Sequence, residues 1–406
     1  MLGKAINDTD QPTSIEKKEE QSQDSDEASK ETDDPSEETD STVMVIDKKR
    51  DFKTIFWSPT GRLLAAVEET DVKLEDGSNK AQVVLFDYDK DTYTFTERQR
   101  LPIELTLAIA VTIVFSKDGN CLAVTQARAS TPRERPLIFN IADRKNTYRI
   151  FVSPDIPNAN KENTSYENKI MSMSFSSDGQ LFAYSVYGSS GRANRLFLHK
   201  FDQDTKTYKR VTSFYERWFS SGVYITNDSK FIISTCQYET VIFRINDNLS
   251  VTQTDIKNDN SGWFERTRQL SDGWFVSESS DNRLALFQLD NNGLIKNYTL
   301  AYNPSKASRG LSYADDGLAV ALNTSTYNTQ MNKFTFKDDS VEISVGSDLL
   351  KNGDYAHTPL ISLNPKDSNL VVLKQINDQE KYLFDLASIT NNQFSFAPIK
   401  FRTYKV

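Results

Sequence analysis

Ser174-Phe175-Ser176-Ser177-Asp178-Gly179-Gln180-Leu181-Phe182-Ala183 reads as an apolar strand, a Ser/Asp/Gly turn and a second apolar strand. The same phrase stands at Phe56-Trp57-Ser58-Pro59-Thr60-Gly61-Arg62-Leu63-Leu64-Ala65 and at Val114-Phe115-Ser116-Lys117-Asp118-Gly119-Asn120-Cys121-Leu122-Ala123. Looser copies run Ile225-Thr226-Asn227-Asp228-Ser229, Leu270-Ser271-Asp272-Gly273, Tyr313-Ala314-Asp315-Asp316-Gly317 and Leu363-Asn364-Pro365-Lys366-Asp367. Seven copies of one short unit mean a repeat architecture, in which each unit buries its apolar faces only against its neighbours.

Working outward from the turn, the chain is β-rich throughout. Short runs of Val, Ile, Tyr, Phe and Thr alternate with Gly, Asn, Asp and Ser clusters, and no long stretch keeps a helical period. Several phrases are followed by an apolar strand that ends in an acidic hairpin, as at Val83 to Asp89, Leu196 to Asp202 and Leu284 to Asp290. In the third, Asn291-Asn292-Gly293 supplies the positive φ of a tight hairpin. A fourth strand follows, such as Thr92 to Arg98 or Thr207 to Thr212, so four strands make one unit.

Residues 43–406 number 364, or 52 for each of seven units. Aligning the copies places Trp57, Phe115, Phe175, Ile225, Leu270, Tyr313 and Leu363 at one position of the first strand. Three residues earlier stand Thr54, Thr112, Ser172, Gly222, Thr267, Gly310 and Leu360, mostly small, as strands crowded around an axis require. The reading is an all-β, seven-bladed β-propeller of four-stranded antiparallel blades over 43–406.

The Phe-Ser-x-Asp-Gly-x-x-Leu-Ala phrase and the four-strand rhythm resemble the WD40-type propeller family, which implies a platform for binding with many possible roles. The chain departs from that pattern. No Trp-Asp ends a third strand, the nearest being Phe86-Asp87, Ile141-Ala142-Asp143 and Phe201-Asp202. The Gly-His that opens a WD40 repeat is absent, so closure falls to apolar packing and to Val43–Asp47 pairing with the last blade.

Residues 1–42 carry 14 Asp/Glu against 4 Lys, a charge of −10, while the whole chain is −9. The body is therefore close to neutral and has no global field for gripping nucleic acid. That N-terminal segment has no aromatic side chain and few large aliphatics, so it reads as a disordered acidic tail. Ser25-Asp26-Glu27 and Ser36-Glu37-Glu38 offer acid-directed phosphorylation sites within it. Two cysteines, Cys121 and Cys236, make no disulfide framework and read as buried free thiols. Met1 to Asp8 lacks the apolar stretch of a secretory signal, and no segment approaches the ~20 apolar residues of a membrane span. The expected location is cytoplasmic or nuclear.

Catalytic constellations are missing. Two histidines, His199 on an expected strand and His357 in a loop, cannot form a three-His metal site. There is no Gly-x-Ser-x-Gly elbow, phosphate-binding loop or Cys-x-x-Cys pair. The Asp-Gly turns read as strand connections rather than calcium ligands. The expectation is no cofactor, no metal and no enzyme.

Binding potential concentrates where one unit crosses to the next. The crossing into blade four holds Arg217 and Trp218, and the one into blade five holds Trp263 and Arg266. Trp218 and Trp263 each stand seven residues before the aligned position, where blades one and six have Arg50 and Lys306. Three residues further on, blades one, five and six carry Lys53, Arg266 and Arg309. Trp and Arg dominate binding hot spots, so Arg50, Lys53, Arg217, Trp218, Trp263, Arg266 and Arg309 form the candidate rim for a peptide or protein subunit. The alternative is that the two Trp plug gaps between blades. A second basic loop runs from Arg128 to Arg135. Two other readings stand beside the interaction platform: a propeller enzyme of lactonase or sugar-handling type, and a nucleic-acid-associated subunit using that loop.

Overall fold

In the computed structural model the described residues are 44–45 and, from 51 to 403, the strands and most of the short turns between them. Outside lie residues 1–43, 46–50, 404–406, some shorter turns and the longer connections 74–78, 107–110, 127–135, 153–168, 188–194, 216–219, 259–263, 303–311, 314–317, 323–328, 351–360 and 377–381. The acidic tail, 1–42, falls there, as does His357. The unit Thr42–Val406 contains every strand below.

A short strand, β1 (Met44–Val45), precedes seven four-stranded blades. Blade one is β2 (Asp51–Trp57), β3 (Leu63–Lys73), β4 (Asn79–Asp89) and β5 (Thr94–Arg100), with β6 (Leu105–Thr106) against β4. Blade two is β7 (Val111–Phe115), β8 (Cys121–Gln126), β9 (Leu137–Asn140) and β10 (Tyr148–Val152), and blade three is β11 (Lys169–Phe175), β12 (Leu181–Tyr187), β13 (Arg195–Asp202) and β14 (Thr207–Tyr215). Blade four is β15 (Ser220–Ile225), β16 (Phe231–Cys236), β17 (Glu239–Ile245) and β18 (Val251–Asn258). Blade five is β19 (Phe264–Gln269), β20 (Trp274–Ser279), β21 (Arg283–Leu289) and β22 (Ile295–Tyr302). Blade six is β23 (Ser312–Tyr313), β24 (Leu318–Leu322), β25 (Thr329–Lys337) and β26 (Ser340–Leu350). Blade seven is β27 (Ile361–Asn364), β28 (Asp367–Ile376), β29 (Tyr382–Thr390) and β30 (Gln393–Pro398), followed by β31 (Lys400–Thr403). Within each blade, neighbours in sequence are neighbours in the sheet and run antiparallel.

The repeated turn is built by its own side chains. Ser176 Oγ donates to Asp178 Oδ1 at 2.6 Å and accepts Leu181 N at 2.8 Å, while Asp178 Oδ1 accepts Gln180 N at 3.0 Å. Ser116 with Asp118, and Thr226 with Asp228, repeat the pattern. These carboxylates are thus occupied by the turn that they shape, as turn chemistry dictates. Gly61, Gly119 and Gly179 take φ of 69°, 75° and 68°. This is the left-handed region that glycine enters without strain.

In blades one to four the described inner strands are buried on both faces, so they read as continuous apolar runs. From β3, Leu63, Ala65 and Val67 pack on Ile113, Phe115 and Val124 of blade two, while Leu64 and Ala66 join Phe52, Trp57, Phe86 and Phe95 on the opposite face. This period-two division is strand geometry at work. Equivalent layers fill the junctions between blades two and three, three and four, and four and five.

The first and last blades meet. Strand β2 packs against β27, and at the same junction buried Asn364 donates from Nδ2 to Gly61 O at 3.0 Å, bridging 303 positions of sequence. At the rim the closure differs from the one expected. Met44–Val45, the described part of Val43–Asp47, does not extend the sheet of the last blade. Instead β31 leaves blade seven and pairs in parallel with β5 of blade one, through Lys400↔Thr94, Phe401↔Phe95 and Arg402↔Thr96. The N-terminal β1 then pairs antiparallel with β31, through Met44↔Thr403 and Val45↔Arg402. Crossing to blade one covers an edge that would otherwise stay open. Blades two and three share the arrangement, since β10 pairs in parallel with β14 through Phe151↔Thr207 and Val152↔Tyr208.

Candidate functional site

Antiparallel order sorts the connections of each blade into two sets. The turn between first and second strands and the hairpin between third and fourth leave at one end, the turn face. The loop between second and third strands and the crossing to the next blade leave at the other, the crossing face. Every residue of the sequence-derived rim belongs to the crossings or to the strand starts that follow them. The Arg128–Arg135 loop joins β8 to β9, so it belongs to the same face. The strands that bound the two sequence-derived candidates therefore end at the same face.

Of the rim residues, Arg50, Arg217, Trp218, Trp263 and Arg309 lie outside the described residues, as does the Arg128–Arg135 loop. Lys53 and Arg266 are placed on the innermost strands β2 and β19. Lys53 occupies a β-bulge, because Phe52 pairs with Glu68 and Thr54 with Val67. Bulges recur at Met171, Ser221 and Glu265, each four residues before the last residue of its strand. A bulge turns side chains away from the regular alternation, and bulges gather beside functional sites.

One alignment needs correcting. Leu270 N donates to Trp274 O as Ser58 N donates to Leu63 O, so Leu270 corresponds to Ser58, and Gln269 takes the position of Trp57. The shift follows from a turn one residue shorter in blade five. It puts Trp263 six residues before that position rather than seven. It also puts Arg266, not Thr267, in the column of Thr54, Thr112, Ser172 and Gly222. The column has a second role besides avoiding crowding: Ser172 Oγ accepts Val223 N of blade four at 2.9 Å. In blade five this column carries an arginine. Its cross-strand partner is Glu278, 4% exposed.

Glu278 is one of the acidic residues near this face that the sequence reading passed over. Another is Glu68, 7% exposed, whose Oε2 accepts Arg100 Nη1 at 2.8 Å. Arg100 Nε also donates to Glu97 Oε1 at 2.8 Å. Partial burial works against the Arg100 charge, but the Glu97 hydrogen bond and the two carboxylates outweigh it and hold its pKa above the ordinary value. A signal for Glu68 existed in sequence, since an acidic residue follows the apolar run Leu63 to Val67.

The histidine and the thiols read from sequence are set in or against the core. His199 is fully buried on β13 and stacks on Tyr184, ring centroids 5.3 Å apart. Cys121 and Cys236 are free thiols; Cys236 is buried and Cys121 only partly so. Burial, with Asp118 adding, pushes the Cys121 thiol up to about 11. Among the described residues no group of three His, Cys, Asp or Glu is placed to hold a metal ion. No helix among them is long and apolar enough to cross a membrane.

The fold is similar to the β-propeller domain of Cps50 (Swd1) from Myceliophteria thermophila, with a TM-score of 0.53 at 10% identity over 86% of this chain and 99% of that one. U3-55K is also similar, with a TM-score of 0.47 at 11% identity over 72% and 82%. No family model matches the chain, and no curated protein matches it. At such identity the likeness to Cps50 establishes the fold alone, a β-propeller.

Proposed function

We propose that the protein is a non-enzymatic interaction platform, whose crossing face binds a peptide or protein subunit within a larger complex. What supports this reading is that the strands bounding the Trp/Arg crossings and the Arg128–Arg135 loop end at the same face, where four inner strands carry bulges. Aromatic and guanidinium groups supply the apolar contact and charge-assisted hydrogen bonds on which protein interfaces depend. In this reading Arg50, Lys53, Arg217, Trp218, Trp263, Arg266 and Arg309 contact the partner. The segment 1–42 is a separate charged arm, dispensable for folding of 43–406, and the protein works in the cytoplasm or nucleus.

The test uses the full chain to isolate a stoichiometric partner from cell extract, and then measures affinity and stability on the same variants. Trp218→Ala combined with Arg266→Ala is expected to weaken binding more than ~10-fold, since a hot-spot side chain is worth ~2 kcal/mol or more. Its thermal midpoint should stay close to wild type. A large stability loss with unchanged affinity in the folded fraction overturns the proposal, because the two residues would then be packing between blades.

A further inference from the structure

The outer edges of the blades are treated unequally. Strand β5 carries β31, and β14 carries β10. Strand β18 is the last strand of its sheet. Six large hydrophobic side chains are exposed among the described residues, and four belong to blades four and five: Tyr238, Ile256, Leu294 and Leu300. Ile256, 39% exposed, stands near the end of β18, and Thr252, Gln253, Lys257 and Asn258 are exposed along the same strand. An open edge with an outward apolar side chain is a template for another strand.

The charges beside Ile256 say which strand. Asp255 and Lys257 flank it and project to the same face, since side chains alternate along a strand. Both are held in place. Asp255 Oδ2 accepts Ile295 N at 2.7 Å, and Lys257 Nζ lies 5.1 Å from the centroid of the Tyr298 ring, while Asp255 Oδ1 accepts the edge-facing Ile256 N at 2.8 Å, a hydrogen bond that the incoming strand's Ile256 O takes over. If a second β18 runs antiparallel about Ile256, the two Ile256 side chains face each other. Asp255 then lies opposite the second copy's Lys257, and Lys257 opposite its Asp255. Thr254 comes opposite Asn258. This register is self-complementary in apolar contact, charge and polarity, as a two-fold interface must be. A lone edge lysine, which ordinarily discourages strand addition, is matched here by a carboxylate from an identical chain. We infer that β18 is a homotypic docking edge, through which two copies join blade four to blade four in a continuous antiparallel sheet.

The inference rests on the outer wall of the propeller and not on the crossing face. Sedimentation of the full chain over a concentration series is expected to show a reversible monomer–dimer equilibrium. Lys257→Glu sets like charges opposite each other twice per dimer and should weaken association about tenfold or more, given up to ~1 kcal/mol for each cross-strand pair. Ile256→Lys should abolish it, with a thermal midpoint near wild type because the side chain is exposed. Asp255→Lys combined with Lys257→Asp reverses both charges and should restore most of the association that Lys257→Glu removes. Amide exchange at Ile256 should slow as concentration rises. A monomer at every concentration overturns the inference, and so does a dimer indifferent to Ile256→Lys. A dimer lost in the Trp218→Ala, Arg266→Ala variant also overturns it, since that would place the contact on the crossing face.

Discussion

At the rim between blades seven and one, backbone joins backbone: Lys400, Phe401 and Arg402 lie in parallel register with Thr94, Phe95 and Thr96. Blades two and three are joined in the same way by β10 and β14. Between blades four and five side chains make the connection. Asp255 Oδ2 accepts Ile295 N at 2.7 Å, Thr254 Oγ1 donates to Gly293 O at 3.0 Å, and Arg244 reaches Asn291 O at 3.4 Å. Thr254 is aimed across the junction by a bulge in β18, and in blade one the bulged Arg98 reaches Ile141 O of blade two at 2.7 Å. A backbone stitch uses groups that every residue carries, so it tolerates substitution but depends on the strand being present. A side-chain clamp is vulnerable at single positions and by itself covers no edge. The β31 stitch closes the ring, whereas the clamp between blades four and five leaves β18 as the last strand of its sheet.

The largest expected effect comes from removing a stitch. Deleting residues 400–406 takes away β31 with its pairing to both β5 and β1. At ~1 kcal/mol for each hydrogen bond lost, stability should fall by about 4 kcal/mol or more, read as a lower calorimetric midpoint and a broader transition. A midpoint within about a degree of wild type would mean that ring closure does not use the rim.

A smaller effect tests the clamp. Gly179 and Gly293 both have positive φ, 68° and 78°. A Cβ at Gly179 meets nothing within 4 Å, whereas one at Gly293 would come within 2.8 Å of Phe231 Cδ1 and of Thr254 Oγ1. Gly179→Ala should cost only the left-handed backbone strain of ~1–2 kcal/mol. Gly293→Ala should exceed it by a further ~1–3 kcal/mol, because Phe231 and Thr254 must shift. Equal losses in urea unfolding would show that the clamped junction yields freely.

The smallest effect lies at the stitched junction of blades two and three, where Cys121 packs against that core. Its pKa is raised from 9.0 to about 11, chiefly by burial. Below the ordinary value both folded and unfolded chains hold the proton, and the stabilising contribution is complete. As pH rises from about 9 to about 11 the unfolded chain loses its proton first, so that contribution is lost. Comparing urea midpoints near pH 8 and near pH 10 should show a smaller alkaline loss in Cys121→Ala than in wild type. An identical loss would assign the sensitivity to other groups, such as Tyr208, which burial also raises.

How far the sequence could be read depended on distance along the chain. Ser176, Asp178, Gly179 and Leu181 satisfy one another within five residues, so the turn was legible and its repetition carried the four-stranded blades with it. The blade-five alignment slipped because a turn shortened by one residue leaves Leu270 apolar, and only the Leu270-to-Trp274 hydrogen bond separates the two choices. The rim residues were legible as a cluster of Trp and Arg at repeat boundaries. That the strands bounding them and the Arg128–Arg135 loop end at one face follows from strand direction.

The sequence alone determined the repeat, its antiparallel turn chemistry, the two-sided burial of the strands and the separation of an acidic segment from a nearly neutral body. Each of these is a local property, set by side chains acting on backbone a few residues away or by period-two alternation. Tertiary structure decided which edges are covered: that β31 crosses to β5, that Asn364 meets Gly61, that Asp255 caps Ile295 and that β18 is the last strand of its sheet among the described residues. Those pairings join segments tens to hundreds of positions apart through backbone groups common to all residues. No pattern of side chains announces them until the blades are set side by side.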